Sequence, residues 1–195
     1  MTSQTEKVFE EMLLLSAQAG DRLAANRLAT RWQPRLLRTA RRHLRDSDLA
    51  RDVVQEAWLA ICSGWSGIRD PSRFPAWAFG VLRHKSADAI RKASLSRDRF
   101  ADLPMEEQPV TDRSETLTSL DQVFAMLSPD LRLTAILFYG EGLNLVETAT
   151  ATGVPVGTVK SRLHSARGIM KSALGAPDEK VEAGFSKIRR GKNES

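Results

Sequence analysis

One cysteine, one tyrosine and three histidines in 195 residues leave little material for several kinds of chemistry. A lone Cys62 excludes an internal disulfide and argues against a secreted, disulfide-stapled fold and against a cysteine-rich zinc site. Aromatics make up only 6% of the chain. Long apolar runs are missing: Met12 to Leu15 is far too short to span a bilayer. The N-terminus lacks the basic segment, apolar run and small-residue cleavage site of a secretory leader. A cytoplasmic chain with no direct membrane insertion is therefore expected. No stretch alternates apolar and polar residues, so no strand is expected and the fold class is all-α.

Charge is plentiful and unevenly placed. Residues 20–100 carry 17 basic and 8 acidic side chains, whereas residues 101–116 carry one basic and five acidic. A basic front half points to a polyanion, most often nucleic acid, with solubility alone as the plainer explanation.

Glycine and proline divide the chain into helix-sized segments. From Ser94 to Thr116 it turns polar and acidic and contains Pro104 and Pro109, which suits a flexible linker. Two small helical domains follow from this, at residues 10–93 and 117–174, joined by the linker 94–116. A charged C-terminal tail, 175–195, has Val181, Phe185 and Ile188 as its only large apolar residues.

In the first domain one helix is expected from Asp21 to Gln33 and a second from Pro34, a residue suited to a first helical position. Leu28, Trp32, Leu36, Ala40 and Leu44 form a core stripe. Arg31, Arg35, Arg38, Arg42 and Arg45 share another side, with no interleaved acids to pair them within the helix. Either they form a solvated face or they meet something anionic. The next helix, Ser47 to Cys62, buries Leu49, Val53, Ala57 and Ile61. It presents Asp48, Asp52, Gln55 and Leu59 flanked by Glu56, a polar stripe broken by leucine that suits a protein partner. Asp52 and Glu56 could also hold a divalent metal or act as an acid–base pair, but no histidine or further carboxylate cluster completes such a site. Trp65 to Trp77 interleaves aromatics, small residues and arginines, a composition that can stack bases and hold phosphates. Core packing is the plainer role for both tryptophans. The helix after it carries Arg83, His84, Lys85, Arg91 and Lys92, with Phe74, Ala78, Val81 and Leu82 on its inner side; His84 reads as a polar surface residue.

In the second domain Leu117, Leu120, Phe124 and Leu127 form an apolar stripe. Ser128-Pro129-Asp130 starts a helix that buries Leu133, Ile136 and Leu137 and ends at Gly140 or Gly142. Asn144 with Glu147 resembles a capping box. Ala149, Gly153 and Val159 have the spacing of a helix-turn-helix: a small residue for close approach, a glycine for the left-handed turn, a branched residue to pack the second helix back. That second helix buries Val159, Leu163, Ala166, Met170 and Ala173. Lys160, His164, Arg167 and Lys171 line another face, with Thr158, Ser161 and Arg162 near its start. Donors at the start and cations beyond are what a DNA-recognition helix needs. An ordinary helical hairpin with a basic surface is the alternative.

Val154 to Arg167 closely resembles the promoter-reading helix of sigma factors of the extracytoplasmic-function type. Asp48 to Trp58 resembles that family's polymerase-binding helix, and Phe74 to Lys92 the helix that reads and melts the minus-ten element. The resemblance covers Leu14 to Leu174, with three motifs in order. It implies two helical domains, the second a four-helix domain with a helix-turn-helix, acting without catalysis or cofactor. It implies core RNA polymerase, promoter DNA and an anti-sigma factor as partners. By resemblance Asp48, Asp52, Gln55, Glu56 and Leu59 bind core polymerase. Arg73, Phe74, Trp77, Arg83, His84, Lys85, Arg91 and Lys92 serve the minus-ten element, where the loop before Phe74 holds a flipped base. Thr158, Lys160, Ser161, Arg162, His164, Arg167 and Lys171 serve the minus-thirty-five element. The chain departs from the pattern at His84, where asparagine is common, at Ser165, where many members carry arginine, and in Leu145-Val-Glu-Thr-Ala149. Two other readings compete. One is a sigma-like decoy that binds an anti-sigma regulator in place of DNA. The other is a metal-dependent nuclease using Asp52 and Glu56.

Overall fold

A computed structural model describes residues 4–99 and 119–174. The acidic part of the expected linker and the C-terminal tail lie outside the described residues. Eight helices carry the described fold, and no strand occurs among the described residues.

The first helix, α1 (Gln4–Gln18), was not anticipated, although Glu10, Leu13, Leu14 and Ala17 give it a buried face at helical spacing. Gly20 turns the chain at φ 95°, and Asp21 caps the next helix by accepting from the Leu23 and Ala24 amides. That helix, α2 (Arg22–Leu44), is continuous. The break expected at Pro34 does not occur. Pro34 is exposed, so the Thr30 carbonyl that loses its amide partner can meet water, while Trp32 and Leu36 on either side are fully buried and hold the two halves in line. Arg45, at φ 62°, ends α2, and Asp46 caps α3 (Ser47–Gly64). Two short 3-10 turns, Trp65–Gly67 and Pro71–Arg73, lead into α4 (Phe74–Arg99). α4 continues past residue 93, so the chain stays helical into the stretch read as linker.

The second domain comprises α5 (Ser119–Ala125), α6 (Pro129–Ala135) with a π-helical turn at Ile136–Gly140, α7 (Leu145–Thr152) and α8 (Val156–Leu174). The capping box at Asn144 and Glu147 is complete, with hydrogen bonds of 2.7–2.9 Å in both directions. Gly153 takes φ 70° and its amide closes on the Ala149 carbonyl at 2.8 Å, which makes the helix-turn-helix corner. Val159, Leu163, Ala166 and Met170 pack α8 onto Phe124, Leu127, Ile136 and Tyr139.

The two domains do not merely neighbour each other. Leu133, Leu137, Leu143 and Ala151 of the second belong to the same apolar cluster as Leu28, Trp32, Leu36, Phe79 and Leu82 of the first.

Candidate nucleic-acid interface

The arginine stripe of α2 meets carboxylates of the protein itself. Arg31 pairs with Glu6 at 3.3 Å and with Glu10 at 2.8 Å. Arg35 lies 4.0 Å above the Trp32 ring and pairs with Glu10 at 3.4 Å and with Glu141 at 3.1 Å. Arg38 reaches Glu141 at 2.9 Å, and Arg42 reaches Asp121 at 2.8 Å. Three of these five arginines therefore face the second domain, and Arg45 serves as the left-handed cap. Hydrogen-bond accounting explains Arg132 as well: its buried guanidinium donates to the carbonyls of Phe124, Ala125, Leu127 and, across the seam, His43. Burial lowers the Arg132 pKa, with Arg45 acting in the same direction. Burial, then the charge of Arg132, pushes the His43 imidazole down to about 4 against the opposing pull of Asp130. Sequence reasoning found neither Arg132 nor His43: Arg132 is satisfied by carbonyls at the end of α5 and across the seam, and His43 is set by Arg132 and Asp130 of the other domain.

On α3 the expected partner-facing row is presented to solvent. Asp48, Asp52, Gln55 and Glu56 are exposed, and Leu59 is 70% exposed in their midst. Asp48 pairs with Arg51 on the same helix. Trp58 donates its indole N–H to Gln33. Glu56 stands at the border of α4, 3.6 Å from Lys85 and 4.0 Å from Lys92. The acidic row and the basic helix thus form adjoining surfaces.

The loop between α3 and α4 presents Ser66, Gly67, Arg69, Asp70, Ser72 and Arg73 to solvent. Asp70 accepts from the Ser72 amide at 3.1 Å and hydroxyl at 2.6 Å and pairs with Arg73 at 3.3 Å. Those Ser72 bonds, then Arg73, lower its pKa. Phe74 is only 2% exposed and lies edge-on to Trp32, with centroids 4.9 Å apart, so it supports the loop from beneath. Trp77 is half-buried over Gly64, where an added Cβ would come within 3.0 Å of its ring. His84, Arg91 and Lys92 are exposed, and Arg91 pairs with Asp88 at 2.8 Å. Arg83 is engaged by the second domain: its Nε donates to the Ala151 carbonyl at 3.1 Å, at the end of α7.

On α8, Lys160, Ser161, His164, Arg167 and Lys171 are exposed and Thr158 and Arg162 are half-buried. Arg162 pairs with Asp130, and Arg167 donates to the Tyr139 hydroxyl at 3.1 Å. Among the described residues no group of three or more His, Cys, Asp or Glu side chains is placed to hold a metal. None of the described helices is long and apolar enough to cross a membrane.

Comparison with known proteins accounts for this layout. Residues 28–95 match the family model of sigma-70 region 2, and residues 117–170 match that of sigma-70 region 4. The ECF RNA polymerase sigma factor SigM of Mycobacterium tuberculosis is 30% identical, over 84% of this chain and 83% of its own length. SigD of Mycobacterium tuberculosis is 31% identical, over 94% and 89%. Among solved structures, the sigma factor RpoE from Bartonella quintana in complex with the anti-sigma factor NepR superposes with a TM-score of 0.66 at 23% identity, covering 77% of this chain and 96% of that one. CnrH in complex with the cytosolic domain of CnrY gives 0.63 at 23%, covering 86% and 97%. These likenesses support the all-α, two-domain reading and do not favour the decoy. The chain belongs to the extracytoplasmic-function sigma factors, which direct promoter-specific transcription initiation by RNA polymerase.

Proposed function

We propose that three surfaces divide the work. The exposed row Asp48, Asp52, Gln55, Glu56 and Leu59 docks on core RNA polymerase, an acidic rim around an apolar anchor. Arg73, Trp77, Arg83, His84, Lys85, Arg91 and Lys92 meet the minus-ten element, with Phe74 holding the loop from below. Thr158, Lys160, Ser161, Arg162, His164, Arg167 and Lys171 meet the minus-thirty-five element. The protein acts without chemistry of its own, in the cytoplasm, and an anti-sigma factor restrains it, as NepR and CnrY accompany the two structural relatives.

One observation carries this reading most directly. Apolar residues of α8 are turned inward at Val159, Leu163, Ala166 and Met170, and its donors and cations are turned outward past the Gly153 corner. Run-off transcription with core polymerase, with start sites mapped across the genome, tests it. Specific initiation that is lost on Asp52→Ala and weakened on Lys160→Ala is expected; no specific start at any promoter would sink the reading. Magnesium-dependent DNA cleavage by the purified chain, lost on Asp52→Ala, would favour the nuclease instead.

A further inference from the structure

α1 lies ahead of the segment that matches region 2, yet its last residue reaches into the loop that the proposed reading gives to the minus-ten element. The side-chain amide of Gln18 donates to two carbonyls, Trp65 O at 2.6 Å and Ile68 O at 2.9 Å. These lie 47 and 50 residues away in sequence. A primary amide has two N–H groups, and here each has its own acceptor. The pair of bonds fixes the separation of two carbonyls that bracket the turn Trp65–Gly67.

Beyond Gln18, the loop is held by its own hydrogen bonds and by Trp65 and Ile68, which pack against the core. Ile68 N donates to Trp65 O at 3.0 Å, and Asp70 organises its second half through Ser72 and the Arg73 amide. Phe74 anchors the far end in the core. The near end has Gln18. α1 is itself well fixed: Leu13, Leu14 and Ala17 are buried, and Glu10 is tied to Arg31 and Arg35 of α2. A recognition loop must present its groups to within a fraction of an ångström, and supporting hydrogen bonds from a rigid element supply that precision.

We infer that Gln18 is a positioning residue for minus-ten recognition: its amide holds the Trp65–Ile68 turn in the shape that receives the unpaired base. This inference rests on the proposed assignment of the loop to the minus-ten element. Gln18 touches no DNA itself. It sets where Ser66, Gly67 and Arg69, all exposed, stand relative to Arg73.

The test uses holoenzyme assembled with core polymerase and a promoter recovered by start-site mapping. Single-stranded oligonucleotides carry its minus-ten element either intact or with one base replaced. Gln18→Leu keeps much of the bulk and removes both donors; Gln18→Glu keeps the shape and places a carboxylate against two carbonyls. Each is expected to lower the preference for the intact element by about tenfold and the melting temperature by only a few degrees, the effect of losing two net hydrogen bonds, while core-polymerase affinity stays near wild type. Gln18→Lys, which restores donors, is expected to recover part of the preference. Retained preference in Gln18→Leu, with preference lost in Arg73→Ala, would overturn the role of Gln18 and leave the loop assignment standing. If neither variant changes it, the loop assignment fails and the inference goes with it. Loss of polymerase affinity and of melting temperature in step with DNA binding would mark Gln18 as merely structural, which also overturns the inference.

Discussion

Glu141 of the second domain and Arg38 of the first meet at 2.9 Å, and the same carboxylate holds Arg35 at 3.1 Å. The Glu141 side chain is only 1% exposed, so these bonds replace nearly all of its water. Thr39 adds a longer contact at 3.4 Å. Breaking a buried ion pair from one side strands the other charge, which costs more than the intact pair contributes.

Glu141→Ala is therefore expected to loosen the seam. The cost is roughly 2 kcal/mol, discounted from the fully buried case because Arg38 keeps solvent contact. Small-angle scattering should show a larger radius of gyration, and heat should separate the melting of the two domains. An unchanged radius and a single unshifted transition would contradict this.

His43 predicts an acid sensitivity. Its folded pKa of about 4 lies below the ordinary value of 6.5, so between these the unfolded chain binds a proton that the folded chain refuses. Stability is fully present above 6.5 and falls as the pH drops toward 4, by about 3 kcal/mol over that range. Denaturant melts at pH 7.0, 6.0 and 5.0 should show the decline, and His43→Gln should flatten it. Parallel slopes in the two proteins would contradict the assignment.

Gly153 stands at φ 70°, and an added Cβ would lie 3.1 Å from Nη2 of Arg83. The arginine tip can move, so the backbone sets the cost: about 1 kcal/mol for Gly153→Ala. Gly153→Asn should cost less, since asparagine tolerates the left-handed region. Chemical denaturation should rank the three as glycine, asparagine, alanine; equal stability of the alanine variant would refute the strain.

Lys160 is exposed at the head of α8. Lys160→Ala should weaken holoenzyme binding across promoter variants and lower the slope of log affinity against log salt by about one. Arg162→Ala should cost less, because Arg162 must first release Asp130. A salt slope equal to wild type for Lys160→Ala would remove it from the phosphate contacts.

The helix-turn-helix was legible: cap, glycine corner and the buried stripe Val159, Leu163, Ala166 and Met170 sit where local spacing placed them, while Ala173, expected to end that stripe, is exposed because the last turn of α8 runs past the core. So was the exposed row on α3. The arginines of α2 were visible as a stripe in want of anions, but their partners lie up to 106 residues away, beyond any local pattern. Pro34 misled because local chemistry argues for a break, while burial on both flanks of the proline decides for continuity. α1 was overlooked although its spacing was readable. Its contact with the loop, through Gln18, depends on how three helices pack and has no signature in sequence.

Arg83 spends its Nε–H on a backbone carbonyl of α7, so under the proposed minus-ten assignment one of its donors is already engaged by the second domain. On that assignment α7 competes with DNA for this donor. A competitor that is covalently attached cannot be diluted away, so its effect enters every promoter affinity as a fixed factor. That factor is the fraction of molecules in which the seam has released α7. If closed molecules outnumber open ones about ten to one, binding is weakened about tenfold with no change at the DNA contact itself. Any mutation or partner that prises α7 from α4 would then raise promoter affinity from a distance.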